Sequence, residues 1–235
     1  MVKPEKIEKL LREFIKFVTK MQLIHRKEQW SLTLQGWIVT LLCIIALMIV
    51  TVTHIYPFLA VSSPIEADVM VVEGWLPDYA IKKAIAKFNR GSYRQLIATG
   101  LPLDKGYYLA QYKNSAEITA ATLIAFGFNK EQVVAVPSAN VIKYRTQAMA
   151  IAVREWLLTS DLNVKTINLY TMGPHARRSW IIFKAVLAPE IQVGVIAAKP
   201  WEYNPNRWWK YSEGVRTVIG ETIAYVYARF VDWSS

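Results

Sequence analysis

The sequence predicts an α/β protein: a parallel sheet of about five strands with helices on both faces, preceded by one transmembrane helix and an amphipathic N-terminal helix. Three observations carry this reading. From Ala67 onward, short apolar β-branched runs alternate with helical stretches, the rhythm of a covered parallel sheet. The strand runs are almost continuously apolar, as burial on both faces requires. Before them, no Asp, Glu, Lys or Arg occurs from Gln29 to Ile65. The expected fold class is therefore a Rossmann-like three-layer sheet behind a membrane anchor.

The anchor comes first in the chain. Trp37 to Phe58 is almost wholly apolar, and about 20 such residues cross a bilayer core. Trp30, Trp37 and Tyr56 suit its two interfaces. A signal-peptide core is shorter, about 7–15 residues, and lies nearer the start, so a retained anchor is expected. A buried core helix would show a polar face, and this run has none. Lys16, Lys20, Arg26 and Lys27 precede the span, and the next cation after it is Lys82. The positive-inside rule then puts the N-terminus in the cytoplasm and the following domain outside, across an inner (plasma) membrane. Ile7, Leu10, Leu11, Phe14, Phe17, Val18 and Met21 recur at helical spacing over Pro4–Arg26. That helix either lies on the anionic inner leaflet or is a solvated lead into the anchor. The expected organisation is a basic amphipathic segment over 1–36, a transmembrane helix over 37–60 and one α/β domain over 61–235.

The net charge of +10 points to an anionic partner such as a membrane surface or phosphates. No nucleic-acid module is recognisable, so no nucleic-acid partner is expected. The single cysteine, Cys43, lies in the apolar span, which rules out an intramolecular disulfide.

The expected strands are Asp68–Val72, Gln95–Ala98, Gln132–Val136, Thr166–Tyr170 and Ile191–Ile196. The expected helices are Tyr79–Arg90, Asn114–Phe126, Tyr144–Thr159, Pro174–Leu187 and Arg207–Phe230. In such folds the ligand sits outside the carboxyl ends of the strands, so the residues after each strand are the candidates. They are Glu73, Gly74 and Trp75 after the first strand and Thr99 and Gly100 after the second. Lys113, Glu117, Arg145 and Thr146 open the next helices, and Gly173, His175, Arg177 and Arg178 follow the fourth strand.

The turn after the fourth strand is the sharpest of these signals. Pro174 suits a first helical position, and His175, Arg177 and Arg178 then crowd the first turn. A helix N-terminus already carries about half a positive charge, so cations there suggest a bound anion such as a phosphate. The same field should favour neutral His175. The alternative is that one arginine pairs with a carboxylate and the other is solvated. Glu73, ending a buried strand, either pairs with His175 or an arginine or acts as a general base. Asn114 with Glu117 reads equally as a helix cap. Glu213 and Arg216 lie one turn apart and suit a simple ion pair. No GxGxxG, P-loop or GxSxG element is present, and no Cys/His cluster has metal spacing. The sequence identifies neither a cofactor nor a metal.

Taken in order, Asp68–Gly74, the Lys113-Asn114-Ser115-Ala116-Glu117 helix start, Arg145-Thr146 and Gly173–Ser179 resemble the ElyC/SanA/YdcF family over nearly all of residues 66–230. The His-x-x-Arg element is His175 and Arg178. Arg145-Thr146 stands where relatives usually carry Asn-Thr, and Glu73-Gly74-Trp75 where many carry a Gly-rich turn. The resemblance implies a Rossmann-like domain, for several members an inner-membrane anchor, and a link to cell-envelope biogenesis and barrier integrity. It implies no settled reaction. The expected function is a membrane-anchored envelope factor that binds an anionic, phosphorylated ligand, such as a lipid-linked or peptidoglycan precursor, at the rim of the sheet. The alternatives are a phosphoester hydrolase or transferase using Glu73 and His175 as acid and base, and a non-catalytic scaffold of an envelope complex.

Overall fold

Five apolar runs become five strands: β1 (Val69–Glu73), β2 (Gln95–Gly100), β3 (Val133–Pro137), β4 (Thr166–Met172) and β5 (Gln192–Ala198). The computed structural model describes Glu8, residues 11–16, residues 32–231 and Trp233. All four strand pairings are parallel, in the order β3-β2-β1-β4-β5. The fold class is therefore as expected, α/β with a five-stranded parallel sheet. Its order reverses between β1 and β4, which makes that gap the topological switch point.

Although β1 reads as one apolar run, its side chains alternate between faces. Met70 and Val72 meet Ala80, Ile81, Ala84 and Phe88 of α2 (Asp78–Phe88) and Leu123 of α3 (Ser115–Ala125). Val69 and Val71 meet the other face. There Met149, Val153 and Leu157 of α4 (Arg145–Thr159) join Ile182, Phe183 and Leu187 of α5 (His175–Leu187). Two helices thus cover each face.

The apolar span is α1 (Leu34–Leu59), 26 residues long. It is long and apolar enough to cross a membrane, and none of its most apolar window is buried in protein. Packing divides the chain inside this helix, into Met1–Ala46 and Leu47–Ser235. In the first unit, residues 11–16 are helical; the rest of the helix expected over Pro4–Arg26, apart from Glu8, lies outside the described residues. Thr33 starts α1, its hydroxyl accepting from the Gly36 amide at 3.1 Å.

In the second unit the last turns of α1 belong to the globular domain. Tyr56 and Leu59 form a cluster with Tyr203, Trp208 and Val218, the last from α6 (Ser212–Ala228). The Trp208 indole donates to the Val52 carbonyl at 3.0 Å. A short 3-10 stretch, Pro205–Lys210, precedes α6.

Candidate functional site

The switch point holds a cluster of four charged side chains. Glu73, the last residue of β1, is fully buried. It accepts from the Thr171 hydroxyl at 2.5 Å, the Ser179 hydroxyl at 2.9 Å and the Trp75 indole at 2.9 Å. Its Oε2 also lies 3.5 Å from His175 Nε2, ion-pair range rather than a hydrogen bond. Glu73 therefore ends a strand inside the protein with its lone pairs largely taken. Burial alone would raise its carboxyl, but the His175 charge and the two hydroxyls outweigh that and hold it below its ordinary value.

His175 opens α5 between two carboxylates. Its Nδ1 is 2.9 Å from Glu221 Oε1. The terminal nitrogen of Arg178 lies 2.9 Å from the same Nδ1, so a carboxylate and a guanidinium meet at one ring nitrogen. Arg178 completes the group. Its Nε donates to Glu221 Oε2 at 2.8 Å and its terminal nitrogen to Oε1 at 3.0 Å, a two-pronged charge-assisted pair. The same guanidinium reaches the Thr146 hydroxyl at 3.4 Å. Burial works against the charged form of His175. Glu73 and Glu221 more than reverse this and push its pKa up to about 9. Glu221, in turn, is resisted by burial yet drawn down to about 2 by His175 and Arg178. The two carboxylates thus work against the neutral His175 expected from the helix N-terminus. A helix N-terminus contributes about half a charge, and two full carboxylates exceed it.

These four groups alternate in sign and sum to zero, which answers the question raised by the crowded cations at the start of α5. Arg178 is balanced by Glu221, not left for an external anion. Arg177 turns away from the cluster. It donates to the Phe58 carbonyl and lies 4.0 Å over the Phe58 ring. That carbonyl belongs to the last turn of α1, where helix carbonyls lack internal partners.

Over the cluster opens a cleft of about 690 Å3, within the range of small-molecule sites. Trp75, Arg145, Thr146, Gly173, His175 and Arg178 line it. Its walls are mainly aromatic and aliphatic: Leu101, Ile142, Tyr144, Met149, Tyr203, Tyr227 and Trp233. Trp75 stands edge-on to His175 at 5.0 Å and bonds Glu73. Gly173 needs its missing side chain, because its φ of +50° lies in the left-handed region. Tyr144 adopts that region too, at +58°, held by Trp233 edge-on at 5.3 Å and by the Tyr227 hydroxyl at 3.2 Å.

The other sequence candidates fall outside the cleft lining. Gly74 and Gly100 let the start of α3 close onto the sheet: a Cβ on either would lie 2.8 Å or less from Ser115. Thr99 is fully buried. Lys113 donates to the Tyr107 and Ala110 carbonyls, both at 2.9 Å, so it fastens its own loop. Glu117 accepts from the Lys113 amide at 3.0 Å while Asn114 caps the Glu117 amide at 2.8 Å, a helix cap. Glu213, by contrast, lines the cleft, where it pairs with Arg216 at 2.5 Å and accepts from the Thr217 hydroxyl at 3.3 Å.

Sequence reasoning missed Glu221 and singled out neither Thr171 nor Ser179 within the turn after the fourth strand. A signal for Glu221 existed: it is the one charged residue between Thr217 and Ala228. Among the described residues no group of three or more His, Cys, Asp or Glu is placed to hold a metal ion. Compared with known proteins, the chain matches no family model and no curated protein.

Proposed function

We propose that this chain is a single-pass cell-envelope factor of the ElyC/SanA/YdcF type. In this reading α1 anchors it in the inner membrane, and the α/β domain outside binds an anionic amphiphile, a phosphorylated lipid-linked glycan or cell-wall precursor. The observation that carries the proposal is the cleft. It lies at the switch point and joins apolar, aromatic walls to a charged floor. The wall residue Tyr203 packs edge-on against Tyr56 of α1 at 6.2 Å, so the binding site adjoins the anchor.

The anionic end of such a ligand fits best at the start of α4. That helix begins with Tyr144, which offers no capping acceptor, and has no acidic residue in its first turn. Helix N-termini of this kind attract anions. Arg145 lines the cleft there, paired among the described residues only with Asp104 at 3.2 Å. Both partners are largely exposed, their side chains 52% and 78%, and such pairs contribute little. Arg145 can therefore exchange Asp104 for a phosphate. Binding is better supported than acid–base chemistry by Glu73 and His175. Glu73 has no surface on the cleft, and His175 has its Nδ1 engaged by Glu221 and Arg178 and its pKa pushed up to about 9, so neither is placed as a base.

The test is mass spectrometry of lipids that co-purify with the full chain in mild detergent. Ala224 lines the cleft, and Ala224→Trp should fill it. The wild-type chain should retain an anionic amphiphile that both this variant and Arg145→Ala lose. Equal retention by all three would overturn the proposal.

A further inference from the structure

We infer that α6 is an interfacial helix: its exposed face rests in the headgroup region of the bilayer that α1 crosses, and so seats the cleft at the lipid surface. The inference rests on the reading of α1 as a membrane span.

A surface helix of a soluble domain turns its polar side to water. From its middle onward α6 does the reverse. Ile219, Ile223, Val226 and Tyr227 are exposed, and Phe230 continues the row in the turn beyond the helix. Ile219, Ile223, Val226 and Phe230 are spaced by four, three and four residues, and Tyr227 lies four after Ile223, so all five share one helical face. Ile223 is 66% exposed and Phe230 86%. No charge interrupts this face between Arg216 and Arg229. The one carboxylate in that stretch, Glu221, is turned inward onto His175 and Arg178.

Two further observations select a bilayer as the occupant. The helix adjoins the anchor through its neighbouring side: Tyr225 of α6 packs edge-on against Phe58 of α1 at 5.4 Å, and Val218 shares a cluster with Tyr56 and Leu59. Wherever α1 leaves the membrane, α6 is beside it. The apolar row is also flanked in sequence by the exposed cations Arg207, Lys210 and Arg229, as in helices that lie in an anionic interface. Tyr227 belongs both to this face and to the cleft wall. An amphiphile in the outer leaflet would then reach the cleft without its apolar part crossing water.

The single native cysteine makes the test direct. In a Cys43→Ala background, Ile45→Cys, Ile223→Cys, Phe230→Cys and Lys130→Cys are each labelled with a fluorophore. The full chain is reconstituted in vesicles containing anionic lipid, and quenching by nitroxide lipids of known depth is read. Ile45 should be quenched by deep nitroxides, Ile223 and Phe230 by headgroup-level nitroxides, and Lys130 by neither. Quenching at Ile45 with none at Ile223 and Phe230 would overturn the interfacial helix while leaving the anchor intact. No quenching at Ile45 would remove the anchor reading and this inference with it. Disulfide-linked dimers through unlabelled Ile223→Cys, with no quenching of its labelled form, would assign the face to a second copy and also overturn the inference.

Discussion

At the residue scale, the cluster makes a definite pH prediction. His175 is raised from 6.5 to about 9. Its contribution is therefore complete below pH 6.5 and is lost as pH rises through 9, a shift worth on the order of 3 kcal/mol. Glu221 is lowered from 4.5 to about 2, so its contribution is present above pH 4.5 and lost as pH falls through 2. The melting temperature should hold between pH 4.5 and 6.5 and fall by several degrees towards pH 9. Glu221→Gln leaves Arg178 and one side of His175 without a carboxylate, and breaking such a pair costs about 3–5 kcal/mol. It should lower the melting temperature at pH 6 and flatten the decline above it. Glu213→Gln, which alters the Arg216 pair and the Thr217 bond but none of the four clustered charges, should do neither. A normal melting temperature for Glu221→Gln at pH 6 would show that the cluster holds nothing together. Of its members, Glu73, His175 and Arg178 were legible because strand ends are where α/β folds place their sites. Glu221 comes from the middle of a helix, 46 residues after His175, and no local pattern ties the two.

At the element scale, the sheet and its helices were legible and their ends were not. β4 runs to Met172 and β2 to Gly100, beyond the expected Tyr170 and Ala98. Thr171 and Thr99 look like turn residues, yet both are buried and both pair in the sheet. The last helix starts at Ser212 rather than Arg207, because Arg207 is non-helical and Tyr211 is extended. The packing of the end of α1 was not legible. Its composition says lipid, but Leu59 is wholly buried in protein. Leu59→Ala should cost about 2–5 kcal/mol, as deletions from packed cores do. Leu41→Ala, at an exposed position of the same helix, should leave the unfolding of the α/β domain unchanged. Urea denaturation of the two variants in detergent checks this. Equal midpoints would mean that the final turns of α1 do not pack on the domain.

At the scale of the whole molecule, orientation decides which ligands the cleft can meet. The switch point of a doubly wound sheet commonly binds nucleotides, which are cytoplasmic. This chain has no glycine-rich phosphate turn after β1. Glu73 is sealed there, and Gly74 is packed against Ser115. The cations before α1 and their absence until Lys82 favour export of the domain. The α/β domain carries no cysteine, the single one being Cys43 of α1, so either compartment would suit its redox chemistry. A reporter that is active only outside the cytoplasm, fused after Ser235, should therefore be active, and one that fluoresces only in the cytoplasm should stay dark. Replacing Lys16, Lys20, Arg26 and Lys27 by Gln should lower the first signal and raise the second, because the inward bias is then removed. The signals should move in opposite directions within one membrane fraction, which separates inversion from poor expression. Cytoplasmic fluorescence from the unaltered chain would place the cleft among nucleotides and sink the lipid-linked ligand, while the buried cluster at the switch point would stand unchanged.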